Sequence, residues 1–159
     1  MKIAKGFTLV ELILVVAILS IMAVAALPQF INFSSDAERG RIKALAGALK
    51  SATDIVYAKA NVKSLHEAAV TCLGGKIDTA TETCPDGGLL IHFGYPAASE
   101  NVLKQVITLD DWVTSSVSAG LPGGIRIAAT DKDITACYVH YEEATLGSEA
   151  EIEFNTDGC

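Results

Sequence analysis

The sequence predicts an α+β fold in which one long N-terminal α-helix packs on a mostly antiparallel β-sheet, with two disulfides. Three observations carry that expectation. Residues 7–27 are apolar except for Thr8, Glu11 and Ser20, and a helical pattern resumes beyond Pro28. Runs with strand character follow only after that helix, and a helix followed by a series of strands reads as α+β. Four cysteines, Cys72, Cys84, Cys137 and Cys159, lie in the strand-bearing part, and an even set in a translocated domain reads as a disulfide framework.

In chain order, residues 1–6 form a short basic leader, and residues 7–35 a hydrophobic helix suited to a membrane and to the core of a filament. Residues 36–159 form a globular domain that includes the second half of the helix. The apolar run from Phe7 to Leu27 has 21 residues, about 30 Å of helix, close to the hydrocarbon thickness of a bilayer. It is too long for an ordinary signal-peptide core, and no small-residue cleavage site interrupts it. Lys2 and Lys5 precede it, so the positive-inside rule keeps the leader cytoplasmic and sends the C-terminal domain across the membrane. Pro28 is expected to bend the helix rather than end it; the plainer alternative is an anchor that stops there, followed by a linker at Asn32–Asp36.

From Asp36 to about Val62, Ile42, Leu45, Leu49, Ala52 and Val56 recur at steps of three and four, an apolar stripe that seats a sheet. Leu89–Phe93 reads as a buried strand between glycines, Ser99–Val106 as a short helix, and Thr108–Asp111 as the capped start of a helical turn containing Trp112. Gly120–Gly124 reads as a turn. Ile125–Ala129, Ile134–Tyr141 and Glu151–Asn155 read as three strands of a meander. Four cysteines allow three connectivities, of which Cys72–Cys84 with Cys137–Cys159 joins neighbours in sequence.

Glu11 is the anomaly of the apolar run. A charge inside a membrane helix costs about 3 kcal/mol on translocon scales, and no Lys, Arg or His lies between Phe7 and Leu27. The nearby cations are Lys2, Lys5 and the α-amino group that a cut before Phe7 would release. Lys5-Gly6-Phe7-Thr8-Leu9-Val10-Glu11-Leu12 resembles the prepilin signature of the type IV pilins and of the related type II secretion pseudopilins. The specific likeness covers residues 1 to about 35, including Pro28, and beyond that it is one of layout. It is most similar to type IVa major pilins of the mannose-sensitive haemagglutinin kind. The resemblance implies the pilin roll, cleavage by a prepilin peptidase between Gly6 and Phe7, and N-methylation of Phe7. It implies assembly roles for Phe7, Thr8, Glu11 and Pro28, with Glu11 meeting the α-amino group of Phe7 on another subunit. The Cys137–Cys159 loop is similar to the C-terminal disulfide-bounded region of pilins, usually exposed on the fibre.

The implied protein is a structural subunit, stored in the inner membrane and polymerised into an extracellular fibre used for adhesion, and for motility or biofilm formation. An assembly ATPase and a membrane platform protein are the implied partners, beside the peptidase and copies of the chain itself. A pseudopilin and a minor pilin are the near alternatives; a membrane-anchored periplasmic enzyme or binding protein is the remote one.

The remaining features point to no enzyme, cofactor or metal. Net charge is −7, and −9 without Lys2 and Lys5, which disfavours general nucleic-acid binding. Arg39, Arg41, Lys43 and Lys50 read as a solvated or interface face of the helix. His66-Glu67 starts like a zinc-protease helix but lacks the second histidine. His92 and His140 sit in expected strands, Asp131 and Asp133 in an acidic turn that could hold Ca²⁺ but reads more simply as solvated, and Asn32-Phe33-Ser34 is a sequon in the helical stem.

Overall fold

The computed structural model describes residues 7–117 and 123–159, without the side chains of residues 25–32. Helix α1 is Leu9–Val62, and it runs through two compact units that divide between Glu38 and Arg39. The helical assignment includes position 28, whose side chain lies outside the description, as do the leader with Gly6 and the side chain of Asn32.

In the first unit, every large apolar side chain from Phe7 to Val24 is between 46% and 75% exposed. Among the described residues no helix is long and apolar enough to cross a membrane.

In the second unit, the buried stripe of α1 spans Ile42, Leu45, Ala46, Leu49, Thr53, Val56 and Ala60. Ala52, expected on that stripe, is only half-buried. Thr53 takes the buried place, its hydroxyl donating to the Lys50 carbonyl at 2.9 Å, so burial leaves no orphaned hydroxyl. The stripe packs on two sheets in turn. Ile42, Leu45 and Leu49 meet Ile125, Ile127, Val139 and Tyr141. Val56 and Ala60 meet Ile91, with Leu65, Leu73 and Leu89 around them.

The smaller sheet joins β1 (Thr71–Leu73), β2 (Leu89–His92) and β3 (Tyr95–Pro96) in that order. β2 and β3 are linked by Phe93 and Gly94, both with positive φ, the two-residue turn whose twist suits a hairpin. Gly94 is required there twice over: its φ is +86°, and a Cβ would stand 2.9 Å from Tyr57. After α2 (Glu100–Leu103), the larger sheet is an antiparallel meander of β4 (Trp112–Ser116), β5 (Gly124–Ala129), β6 (Tyr138–Glu142) and β7 (Glu151–Asn155). Register puts Ile125 opposite Tyr141 and Tyr141 opposite Ile152, one apolar row facing α1, as the two-residue period of a strand requires.

Several expectations change. Thr108–Asp111 does not start a helical turn; the Trp112 N–H donates to the Leu109 carbonyl at 3.2 Å, and Trp112 opens β4 instead. A short run rich in Trp, Val and Thr gains more from a ladder with β5 than from an isolated turn of helix. The helix expected over Ser99–Val106 shrinks to α2 followed by turns, and residues 134–137 are a turn ahead of β6. Of the Gly120–Gly124 turn, residues 120–122 lie outside the described residues. Strands β1 and β3 were not expected at all.

Cys72 is bonded to Cys84 and Cys137 to Cys159. The first bond closes the loop between β1 and β2, and the second ties the last residue to the turn before β6. Loops of these lengths contribute about 3 kcal/mol each in the chain-entropy model.

Candidate assembly site

The start of α1 is a reciprocal cap. The Glu11 carboxylate accepts from the Thr8 backbone N–H at 3.0 Å and from the Thr8 hydroxyl at 2.9 Å, while the Glu11 N–H donates back to Thr8 Oγ1 at 3.3 Å. This is a capping box, which satisfies amides that otherwise lack partners in the first helical turn. The negative charge also sits at the positive end of the helix dipole. Further along, the Ser20 hydroxyl donates to the Val16 carbonyl at 2.7 Å. All three polar side chains between Phe7 and Val24 are thus hydrogen-bonded within the helix, which lowers the cost of moving the segment out of water.

The spacing Thr8-Leu9-Val10-Glu11 carried this cap in the sequence. It was overlooked because Glu11 was considered only as a charge in search of a cation. The carboxylate lies against the backbone N–H of Thr8, one residue after Phe7, whose side chain is 75% exposed.

The other candidate residues fall outside this segment. Arg41 lies over the Trp112 ring at 5.2 Å, and Lys50 pairs with Asp54 at 3.1 Å. His66 is 3.9 Å from Glu67, and His140 is 3.7 Å from Glu142. His92 lies 3.3 Å from the buried carboxylate of Glu143, which also accepts the N–H groups of Ala98 and Gly123 at 2.9 and 3.1 Å. Burial pushes this carboxyl up, but the His92 bond and the two amides outweigh it and hold the group below its usual range,. Asp133 accepts from the Thr135 N–H and hydroxyl, closing its own turn. Among the described residues no three side chains group to hold a metal ion.

Residues 1–27 match the family model for the prokaryotic N-terminal methylation motif. Over 89 residues the chain is 30% identical to the type IV narrow pilus major component PilA5 of Thermus thermophilus, covering 55% of this chain and 77% of that protein. The chain belongs to the type IV pilins. Its likeness to other pilins runs the full length: 26% identity to the type IV major alpha-pilin of Moraxella bovis, over 100% of this chain and 98% of that one. A type IV major fimbrial protein FimA of Dichelobacter nodosus is also 26% identical, over 98% and 95%. No solved structure matches this pilin. It is a structural pilus subunit, with a long helix on antiparallel sheets and two disulfides.

Proposed function

We propose that this pilin is made as a precursor, held in the inner membrane by its apolar helix, cut between Gly6 and Phe7 by a prepilin peptidase, methylated on Phe7, and polymerised into an extracellular fibre. The observation that carries the proposal is the exposed apolar surface of residues 7–24, which surrounds the helix while its polar groups bond internally. A helix apolar all round belongs in lipid or among other helices, and a subunit that leaves a membrane to join a bundle needs one surface fit for both.

Glu11 acts in that transfer. In the bundle its carboxylate meets the freed amine of Phe7 on another subunit, and each charge neutralises the other in a low dielectric where either alone is costly. The peptidase, an assembly ATPase and a platform protein serve the process. The chain itself is a building block rather than an enzyme, and the fibre's use is adhesion. The relatives named as major components favour the major subunit over a minor one.

The test is fibre composition in the native host. Cells lacking the gene should lose their fibres and regain them on complementation, with this chain as the main protein in the sheared material. Fibres of unchanged abundance and composition in the deletion strain would refute the proposal.

A further inference from the structure

The globular unit carries two unlike surfaces on opposite flanks of α1. The first is an apolar groove of about 700 Å³ between the end of the helix and the β1–β2 sheet, with Ile55, Val62, Leu73, Leu89 and Val106 in its lining. Ile55 is 58% exposed and Val62 is 88% exposed. Lys59 and Lys63 line the same groove, and neither makes an ion pair among the described residues. The groove continues along the helix past Ala48 and Ala52, small side chains that let another surface approach.

The second surface is the β7 margin. β7 is an outer strand of its sheet, and its apolar row ends in Phe154, which is 48% exposed beyond the helix. Leu146, in the loop before it, is 87% exposed. Glu149 and Glu151 flank these residues on the same side of α1 as Ala46 and Lys50, and they too make no ion pair among the described residues.

Helical geometry fixes the relation between the two. At 3.6 residues per turn, Ala48, Ala52, Ile55 and Lys59 lie roughly a quarter turn to one side of the buried stripe, and Ala46, Lys50 and Tyr57 roughly a quarter turn to the other. The surfaces are therefore separated by about 170° around the axis. One is apolar with basic residues and the other apolar with acidic residues. Two such patches do not overlap, so one subunit can present the first to one neighbour and the second to another. A heterologous contact of that kind extends into an open helical array.

We infer that the Lys59/Lys63 groove of one subunit receives the β7 margin of a second copy, with Leu146 and Phe154 against its apolar wall and Glu149 and Glu151 opposite the lysines. The inference rests on the filament reading and adds the lateral contact between globular units. Burial of the apolar side chains supplies the driving force, and the charges fix register and partner choice.

Charge reversal in the full chain, in its host, tests the contact. K59E/K63E and E149K/E151K should each lower fibre yield at least about tenfold, as loss of about 1.4 kcal/mol per contact requires. The combined variant, in which both surfaces are reversed, should recover most of the yield. A second measurement is independent of yield. Chains carrying both Val62→Cys and Leu146→Cys should give non-reducible-gel ladders from sheared fibres, while each single substitution should not. Wild-type yield from either double variant, no recovery in the combined one, or fibres without ladders would overturn the inference, the groove then serving another occupant. Those outcomes leave the filament reading intact, whereas absence of the wild-type chain from fibres would end that reading first.

Discussion

Glu11 has two jobs that one substitution can separate. In the isolated subunit it closes a capping box with Thr8, and in the proposed filament it neutralises an amine. Glutamine serves a capping box as glutamate does but carries no charge. Glu11→Gln should therefore keep the helix start intact and still lower fibre yield at least about tenfold, since it leaves a buried amine unpaired. Counting fibres from matched cultures decides it: normal yield from Glu11→Gln would mean that the cap, and not the charge, is what the residue provides. Glu143 gives a second prediction at this scale. Its carboxyl is held below its usual range by His92 and the amides of Ala98 and Gly123. A lowered folded-state pKa stabilises the fold in full above the ordinary carboxylate value of about 4.3, and that contribution fades as pH falls through the lowered value. Glu143→Gln should cost about 1–3 kcal/mol at neutral pH, by leaving a buried amide badly matched. The gap between variant and parent, followed by thermal unfolding in detergent, should narrow as pH drops below that value. A gap unchanged by acid would show that ionisation of Glu143 contributes nothing. Gly123 belongs to the same site, because a Cβ there would come within 2.7 Å of the carboxylate.

The C-terminus of α1 shows what a whole element needs in order to stop. The Leu65 N–H donates to the Ala60 carbonyl and the Ser64 N–H to the Asn61 carbonyl, both at 2.9 Å, with Ser64 at φ 56°. This is a Schellman motif, and Leu65 packs back on the cluster that contains Ala60,. Serine in the left-handed region costs roughly 1 kcal/mol that glycine avoids. Ser64→Gly should stabilise the fold by about 0.5–1 kcal/mol, visible as a higher thermal midpoint. A lower midpoint would mean that the serine makes up for its strain elsewhere. Elements with strong periodicity were legible in advance: α1, the Ile125 and Glu151 strands, and Leu89–His92 between its glycines. Strands of three and two residues, β1 and β3, are too short to show a period, and only their pairing with β2 defines them. Trp112 misled because the local pattern Thr108–Asp111 imitates a helix cap, whereas the deciding partner, β5, begins twelve residues further on. The cap at Thr8 was the reverse case, a fully local signal that was passed over.

At the scale of the whole molecule, the sequence divides labour between two units. An apolar helical segment is exposed all round its circumference, and a disulfide-tied α+β unit presents two complementary flanks. The segment suited to assembly was legible, because an apolar run with one carboxylate beside a glycine–phenylalanine junction is a rare combination. The flanking grooves were not, because they exist only once α1 lies on both sheets and brings Lys59 beside Leu73 and Glu149 beside Lys50. The central claim is that the chain enters the fibre after losing residues 1–6. Intact-mass analysis of the main protein in fibres sheared from the native host tests it most directly. The account predicts a chain that begins at Phe7, carries one N-terminal methyl group and has both disulfides formed. A fibre-borne chain that still begins at Met1, or an unmethylated start elsewhere in the sequence, would contradict it.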